Sequence, residues 1–216
     1  MVFFAIGLHE YAHCKFADMA GDPTPGIHGR VTLNLTKHFE LFGTLMMLFT
    51  AIAGVGIGWG KPAPMDPNKM RNPRWDFFIA VAAGPISNIL QAVVWAFAGR
   101  VMLSMGLLDT MSIRDAFDTK DIAALLIYYG VFINLSLAFF NLFPLGPLDG
   151  HWLIGLLMPD RARDRWFWWN ARYGWYVLIG IVLLGQLTNF SILWSIMGVP
   201  VDAMARLLLG PFVGGQ

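Results

Sequence analysis

The chain has 216 residues, of which 56% are hydrophobic and 13% charged, with a formal net charge of +1 and a mean hydropathy of +0.57. Long apolar runs with so few charges point to lipid rather than a water-facing core, and the charge balance carries no nucleic-acid signal. The one cysteine, Cys14, excludes an intrachain disulfide and a Cys-rich metal knuckle.

Residues 1–20 read as a helix, stopped by "GDPTP": Gly21 is a C-cap candidate, and Pro23 and Pro25 forbid continuation. No basic stretch precedes the first apolar run, which therefore reads as mature structure and not a cleavable signal peptide. "GRVTLNL" (29–35) alternates Val31, Leu33 and Leu35 with Arg30, Thr32 and Asn34, the pattern of a short β-strand. Residues 41–59 are apolar but glycine-rich, and short for a span. Residues 60–75, "GKPAPMDPNKMRNPRW", form a proline-rich loop with Lys61, Lys69, Arg71 and Arg74. Residues 76–98 make a full span, 104–121 a polar link that is net acidic, and 121–141 a second span broken by "LFPLGPLDG". A basic loop at 159–172 follows, with a cluster of Trp166, Phe167, Trp168 and Trp169, then a span over about 173–187. The last apolar stretch, from residue 190, is interrupted at Pro200 and Asp202. There is no internal repeat, low-complexity tail or second soluble domain.

Basic loops at 60–75 and 159–172 and an acidic one at 104–121 put the first two in the cytoplasm and the third outside. The Trp cluster then falls where an interfacial aromatic belt belongs, although packing between helices would explain any single Trp equally well. If the first helix ends on the cytoplasmic side, 41–59 cannot cross once, so it reads as re-entrant or interfacial.

Glutamate occurs twice in the chain, and one of the two, Glu10, stands in "HEYAH" at the edge of the first apolar run. Residues four apart on a helix share a face, so His9 and His13 can bind one zinc, with Glu10 beside them as a candidate general base. Ionisable groups in lipid are costly and usually functional, which favours this reading over histidines satisfied within a bundle. A catalytic zinc needs a third protein ligand and an open position. The candidates are His28 and His38 in the polar loop, and Asp149 and His151 after the broken backbone at Pro144 and Pro147. Broken backbone at membrane depth is tolerated where it is buried in protein or lines a wet cavity, which directs attention to 141–151. Asp149 could equally be a plain N-cap. Asn88 lies three after Pro85 in an oily span, and Asn134 and Asn141 share a helix face; their carboxamides can serve a peptide backbone without adding charge, or can join helices.

"HEYAH", "GDPTP", "GRVTLN", "GWGKPAP", "AGPISN" and "NLFPLGPLDG", in this order over residues 1–158, resemble the site-2 protease family of intramembrane zinc metalloproteases, in its small bacterial and archaeal form without accessory domains. The resemblance implies Zn2+ held by His9, His13 and Asp149, Glu10 as catalytic base, and Asn88 and Asn141 at the substrate backbone or oxyanion. Eight residues before His9 give about 12 Å of helix, too little to reach the far face and fewer than family members usually carry, so the start reads as clipped or mis-assigned. No PDZ- or CBS-like insert fits the gaps.

The expected protein is therefore an all-α, polytopic membrane bundle of about five to six membrane segments with a small β-strand element after the first helix. It forms a single domain over 1–216, with a core of about 1–158 and C-terminal helices at about 172–209. The expected activity is zinc endopeptidase cleavage in or near transmembrane segments of membrane proteins, with the active site toward the cytoplasmic face of the cell membrane. The strand-like 29–35 and "GWGKPAP" could hold an opened substrate by edge pairing. Rival readings are a transporter or channel with His and Asp lining an ion path, and a non-proteolytic relative.

Overall fold

Helix α3 (Trp75–Ser104) carries a small or carboxamide side chain at every fourth position of its inner face: Ala80, Gly84, Asn88, Ala92 and Ala96, all buried. Residues at that spacing lie one above another, and small ones let neighbouring backbones approach where lipid offers no hydrophobic drive between helices. Helix α1 (Val2–Met19) packs antiparallel on the first half of this stripe, so that His13 meets Ala80 and His9 meets Asn88. A later helix (Ile122–Asn141) packs antiparallel along the second half, with Asn134 on Asn88 and Gly130 against the Trp95 ring. The opposite face of α3 is as apolar as its inner one, with Ile86, Leu90, Val94 and Phe97 exposed. A helix that is hydrophobic all round is a membrane or deep-core helix.

The computed structural model describes residues 1–40, 43, 60–108, 121–188 and 191–213. Between α1 and α3 lie the short helix α2 (Thr24–Ile27) and two 3₁₀ turns, Leu35–His38 and Pro67–Lys69. After α3 come α4 (Ile122–Asn141), α5 (Asp149–Leu157) and α6 (Asp160–Trp169). A π-helical turn, Asn170–Gly174, leads from α6 into α7 (Trp175–Thr188), and α8 (Ile192–Val213) follows. Leu193, Met197, Val201 and Leu209 of α8 join Ala92, Ile127, Val131 and Leu135 in the main core. Asp121 starts α4 by accepting from the Ala123 and Ala124 N–H groups at 3.0 and 3.1 Å, the usual N-cap arrangement.

The polar end of the bundle is tied by side chains that satisfy backbone groups. The buried Asp22 carboxylate accepts from the Thr24 N–H at 2.9 Å and from the Asp66 N–H at 2.7 Å, joining the "GDPTP" turn to the proline-rich loop. In that loop, the Asn68 N–H and the Lys69 ammonium hold the Asp66 carboxyl below the usual carboxylate range. Arg71 donates to the Met19 carbonyl at the end of α1. Arg74 donates to the Leu156 and Met158 carbonyls at the end of α5, at 2.8 and 2.9 Å. Cations are favoured at helix C-termini, whose last carbonyls lack helical donors.

Several expectations need correction. The β-strand element at 29–35 does not form, and the described residues contain no strand. Gly29 has φ +62°, Arg30 is buried, and the Asn34 side chain accepts from the Thr36 N–H at 3.1 Å, starting the turn at Leu35–His38. Alternation alone cannot make a strand without a neighbour to complete its ladder, so edge pairing by 29–35 goes with it. The count of five to six membrane segments is also not supported: three helices among the described residues are long and apolar enough to cross, Trp75–Ser104, Ile122–Asn141 and Ile192–Gly210. The stretch expected to span at about 173–187 is helical throughout, because the π turn Asn170–Gly174 runs without a break into α7. Residues 160–172 are helical rather than a loop, with Asp160 in the first turn of α6 paired to Arg163 at 2.9 Å. Within the Trp cluster, Trp168 and Trp169 are exposed while Phe167 packs on Trp152, so one cluster serves both surface and core. Pro200 and Asp202 do not interrupt α8, since neighbouring packing lets a membrane helix absorb the lost N–H. The re-entrant reading of 41–59 and most of the acidic link at 104–121 fall outside the described residues.

Because the buried Asp22 carboxylate serves two part-buried backbone donors at once, Asp22→Ala should lower stability by about 1–3 kcal/mol, measured by chemical unfolding in detergent. Asp22→Asn, which keeps one acceptor oxygen, should lose about half as much.

Candidate metal centre

His9 and His13 lie one turn apart on the buried face of α1. Helix α5 begins at Asp149, and the loop from α4 brings that carboxylate onto them. Gly150 permits the tight return, because a Cβ there would collide with the Leu142 and Phe143 carbonyls. The His9 and His13 Nε2 atoms are 3.0 Å apart, and Asp149 Oδ2 is 3.2 Å from the first and 3.4 Å from the second.

The hydrogen bonds around this triangle decide where the ring protons are. The Ala5 carbonyl can only accept, so Asn88 presents Nδ2 to it, at 3.1 Å, and Oδ1 to His9 Nδ1, at 2.7 Å. His9 Nδ1 must then carry the hydrogen. His13 Nδ1 likewise donates to the Ala80 carbonyl at 2.8 Å. In neutral imidazoles this leaves both Nε2 lone pairs bare and facing each other. The third corner, Asp149 Oδ2, is buried and lacks a hydrogen-bond partner. Three electron-rich atoms converging in a buried place call for a cation. Zinc with nitrogen and oxygen ligands at about 2.0–2.2 Å in a tetrahedral arrangement sets its donors about 3.3–3.5 Å apart, close to the separations found. Among the described residues, His9, His13 and Asp149 form the group that could hold a metal ion.

The supporting groups fix this arrangement. Asn88 Nδ2 also donates to Asn134 Oδ1 at 3.1 Å, and Asn134 Nδ2 to the Gly130 carbonyl at 2.7 Å, so hydrogen bonds run unbroken from a candidate ligand to the α4 backbone. Such outer partners orient metal-binding histidines. Gly84 lies directly under the rings: a Cβ there would collide with both His9 and His13. Sequence reasoning missed Gly84, although its place midway between Ala80 and Asn88 at four-residue spacing was a legible sign of close approach.

The triangle opens into a cavity of about 510 Å³. Glu10 and Asn141 are on its wall, as are Pro62, Ala63 and Met65 of the proline-rich loop. One Glu10 carboxylate oxygen, Oε2, is buried without a partner. Gly60 lies close by, where a Cβ would come within 3.6 Å of Glu10 Cγ. Asn141 is half-buried, and its Nδ2 donates to the Leu137 carbonyl at 3.0 Å. Asn88 also lines the cavity, with both amide hydrogens committed as described. The remaining histidines stand apart. His28 is exposed and bonds the Thr24 carbonyl at 2.9 Å; His38 is buried on the Thr32 carbonyl at 2.9 Å. His151 bonds the Leu148 carbonyl and packs against Trp152.

The family model described as Peptidase family M50 matches residues 1–185. A protein of Bacillus subtilis (strain 168) named "Putative zinc metalloprotease YwhC" is 32% identical over 207 residues, covering 95% of this chain and 87% of that protein. No solved structure matches the chain. Both matches agree with the resemblance carried by the motifs and with zinc as the cofactor.

If the two rings need the bare surface of Gly84, Gly84→Ala should lower bound zinc well below one per chain by metal analysis of the purified protein. His151→Ala, altered outside the triangle, should keep the wild-type content.

Proposed function

Because the chain belongs to peptidase family M50, we propose that it is a zinc endopeptidase that hydrolyses peptide bonds in or near transmembrane segments of other membrane proteins. The observation that carries this reading is the convergence of two bare imidazole nitrogens and a buried carboxylate oxygen beside Glu10, one of whose oxygens has no hydrogen-bond partner, on the wall of one cavity. Zinc held by His9, His13 and Asp149 supplies Lewis acidity, lowering the pKa of water and polarising a carbonyl.

The chain's own residues do the rest. Glu10 takes the proton from the attacking water and later returns it to the departing amine, the role of a general base that becomes a general acid. Its place on the cavity wall beside the triangle, with one carboxylate oxygen uncommitted to any hydrogen bond, supports that role. Asn141, on the wall of the same cavity, meets the substrate backbone or the developing oxyanion. Asn88 acts from behind His9, holding its ring by the Nδ1 hydrogen, and faces the same cavity.

The membrane setting follows from the helices. Among the described residues, three are long and apolar enough to cross a bilayer, which fits a membrane protein. Arg71 and Arg74 cluster where α1 ends and α3 begins, and positive charge favours the cytoplasmic side. His13 precedes the end of α1 by six residues, about 9 Å of helix, which supports a site inside the membrane toward that face. A transmembrane helix hides its carbonyls in its own hydrogen bonds, so a substrate must unwind locally before hydrolysis.

Two measurements test the reading. Glu10→Gln should abolish cleavage of a model transmembrane substrate while retaining about one zinc per chain; normal turnover would refute Glu10 as the base. In a Cys14→Ser background, Ser112→Cys should react with an impermeant thiol reagent on intact cells, and Asn68→Cys only after permeabilisation. The reverse pattern would refute the orientation.

A further inference from the structure

The segment between α4 and α5 must hold Asp149 in register with two histidines on another helix, yet it contains Pro144 and Pro147, which have no N–H. Its remaining donors can be followed one by one. Leu142 N–H reaches the Ala138 carbonyl, Phe143 N–H the Phe140 carbonyl, Leu145 N–H the Phe143 carbonyl, and Leu148 N–H the Leu145 carbonyl. These bonds stay within the segment or the end of α4. The Gly146 N–H alone of this set leaves it, donating to Asn170 Oδ1 at 2.8 Å.

Asn170 is built for that contact. It is 3% exposed, its Nδ2 donates to the Trp166 carbonyl at 3.2 Å, and it begins the π-helical turn Asn170–Gly174. A π turn inserts a residue into a helix and is often associated with functional sites. At its end Gly174 faces the same loop residue: a Cβ there would be 2.9 Å from Gly146 N and 3.0 Å from Gly146 O. Those are backbone atoms that cannot swing aside. The bare turn and the bare loop therefore meet at Gly146, three residues before Asp149.

We infer that Asn170, through Gly146, is a positioning residue for Asp149, so that the π turn sets the geometry of the metal centre from the C-terminal half of the chain. This rests on Asp149 being a zinc ligand. Outer partners that orient a ligand typically alter metal affinity by about 10- to 100-fold, and the same range is expected here although the contact acts through the backbone.

The test is zinc affinity of the protein in detergent, by chelator competition, beside its thermal midpoint without added zinc. Asn170→Leu should bind zinc about 10- to 100-fold more weakly. Asn170→Asp, which keeps an acceptor for Gly146 N–H, should recover part of the loss. Gly174→Ala, which presses on Gly146 from the other side of the contact, should also weaken binding. Leu209→Ala, in the core far along α8, should lower the thermal midpoint and leave zinc affinity alone. Wild-type affinity in both Asn170→Leu and Gly174→Ala, with Asp149→Ala losing zinc, would overturn this inference and leave the metal centre standing. Should Asn170→Leu fail to fold, wild-type affinity in Gly174→Ala alone would overturn it. Wild-type affinity in Asp149→Ala would overturn both.

Discussion

Two imidazole lone pairs and a carboxylate oxygen held 3.0–3.4 Å apart in a buried place repel one another unless a cation lies between them. Much of the fold can be understood as the framework that holds this unfavourable triangle together. Helix α1 supplies the histidines, α3 removes the choice of tautomer through Asn88 and the Ala80 carbonyl, and α5 brings the charge that completes the set. Metal binding then contributes to stability whatever the pre-organised ligands cost to assemble, because ion and folded ligand set are linked.

The surroundings obey the same economy of polar groups. A membrane interior has no water to satisfy stray donors, and the buried asparagines around the site can each be traced to a partner. Asn88 serves His9, Ala5 and Asn134, and Asn134 serves Gly130. At the polar end Asp22, Arg71 and Arg74 bind loop and helix-terminal backbone groups. Arg71 and Arg74 of the proline-rich loop thus cap the two helices that carry the candidate ligands.

Close approach is the other half of the design. Gly84 beneath the imidazoles, Gly130 beneath Trp95, Gly150 against the Leu142 carbonyl and Gly174 against Gly146 each occur where a Cβ would displace something. Without a hydrophobic drive between helices in lipid, packing and hydrogen bonds must hold them, and both improve when backbones come near. The cavity with Glu10, Asn88 and Asn141 on its wall is what remains between helices brought together at those points.

His9, Glu10 and His13 could be read from the sequence because one helix carries them, and helical spacing alone puts the histidines on one face. Membrane character and the main helices were legible for a similar reason, since composition and run length are local properties. The strand at 29–35 was misread because a strand depends on a neighbour that no local pattern reveals, and here the Asn34 cap and buried Arg30 prevail. Asp149 was one of four candidates on local grounds and was singled out by family resemblance. Its meeting with the histidines depends on the course of the chain between α4 and α5. Asn170 and Gly174, remote in sequence and unremarked there, share in that course. The sequence by itself determined which residues have the donor chemistry for a metal centre; tertiary structure decided which of them meet, because contacts between distant segments depend on packing that no local period encodes.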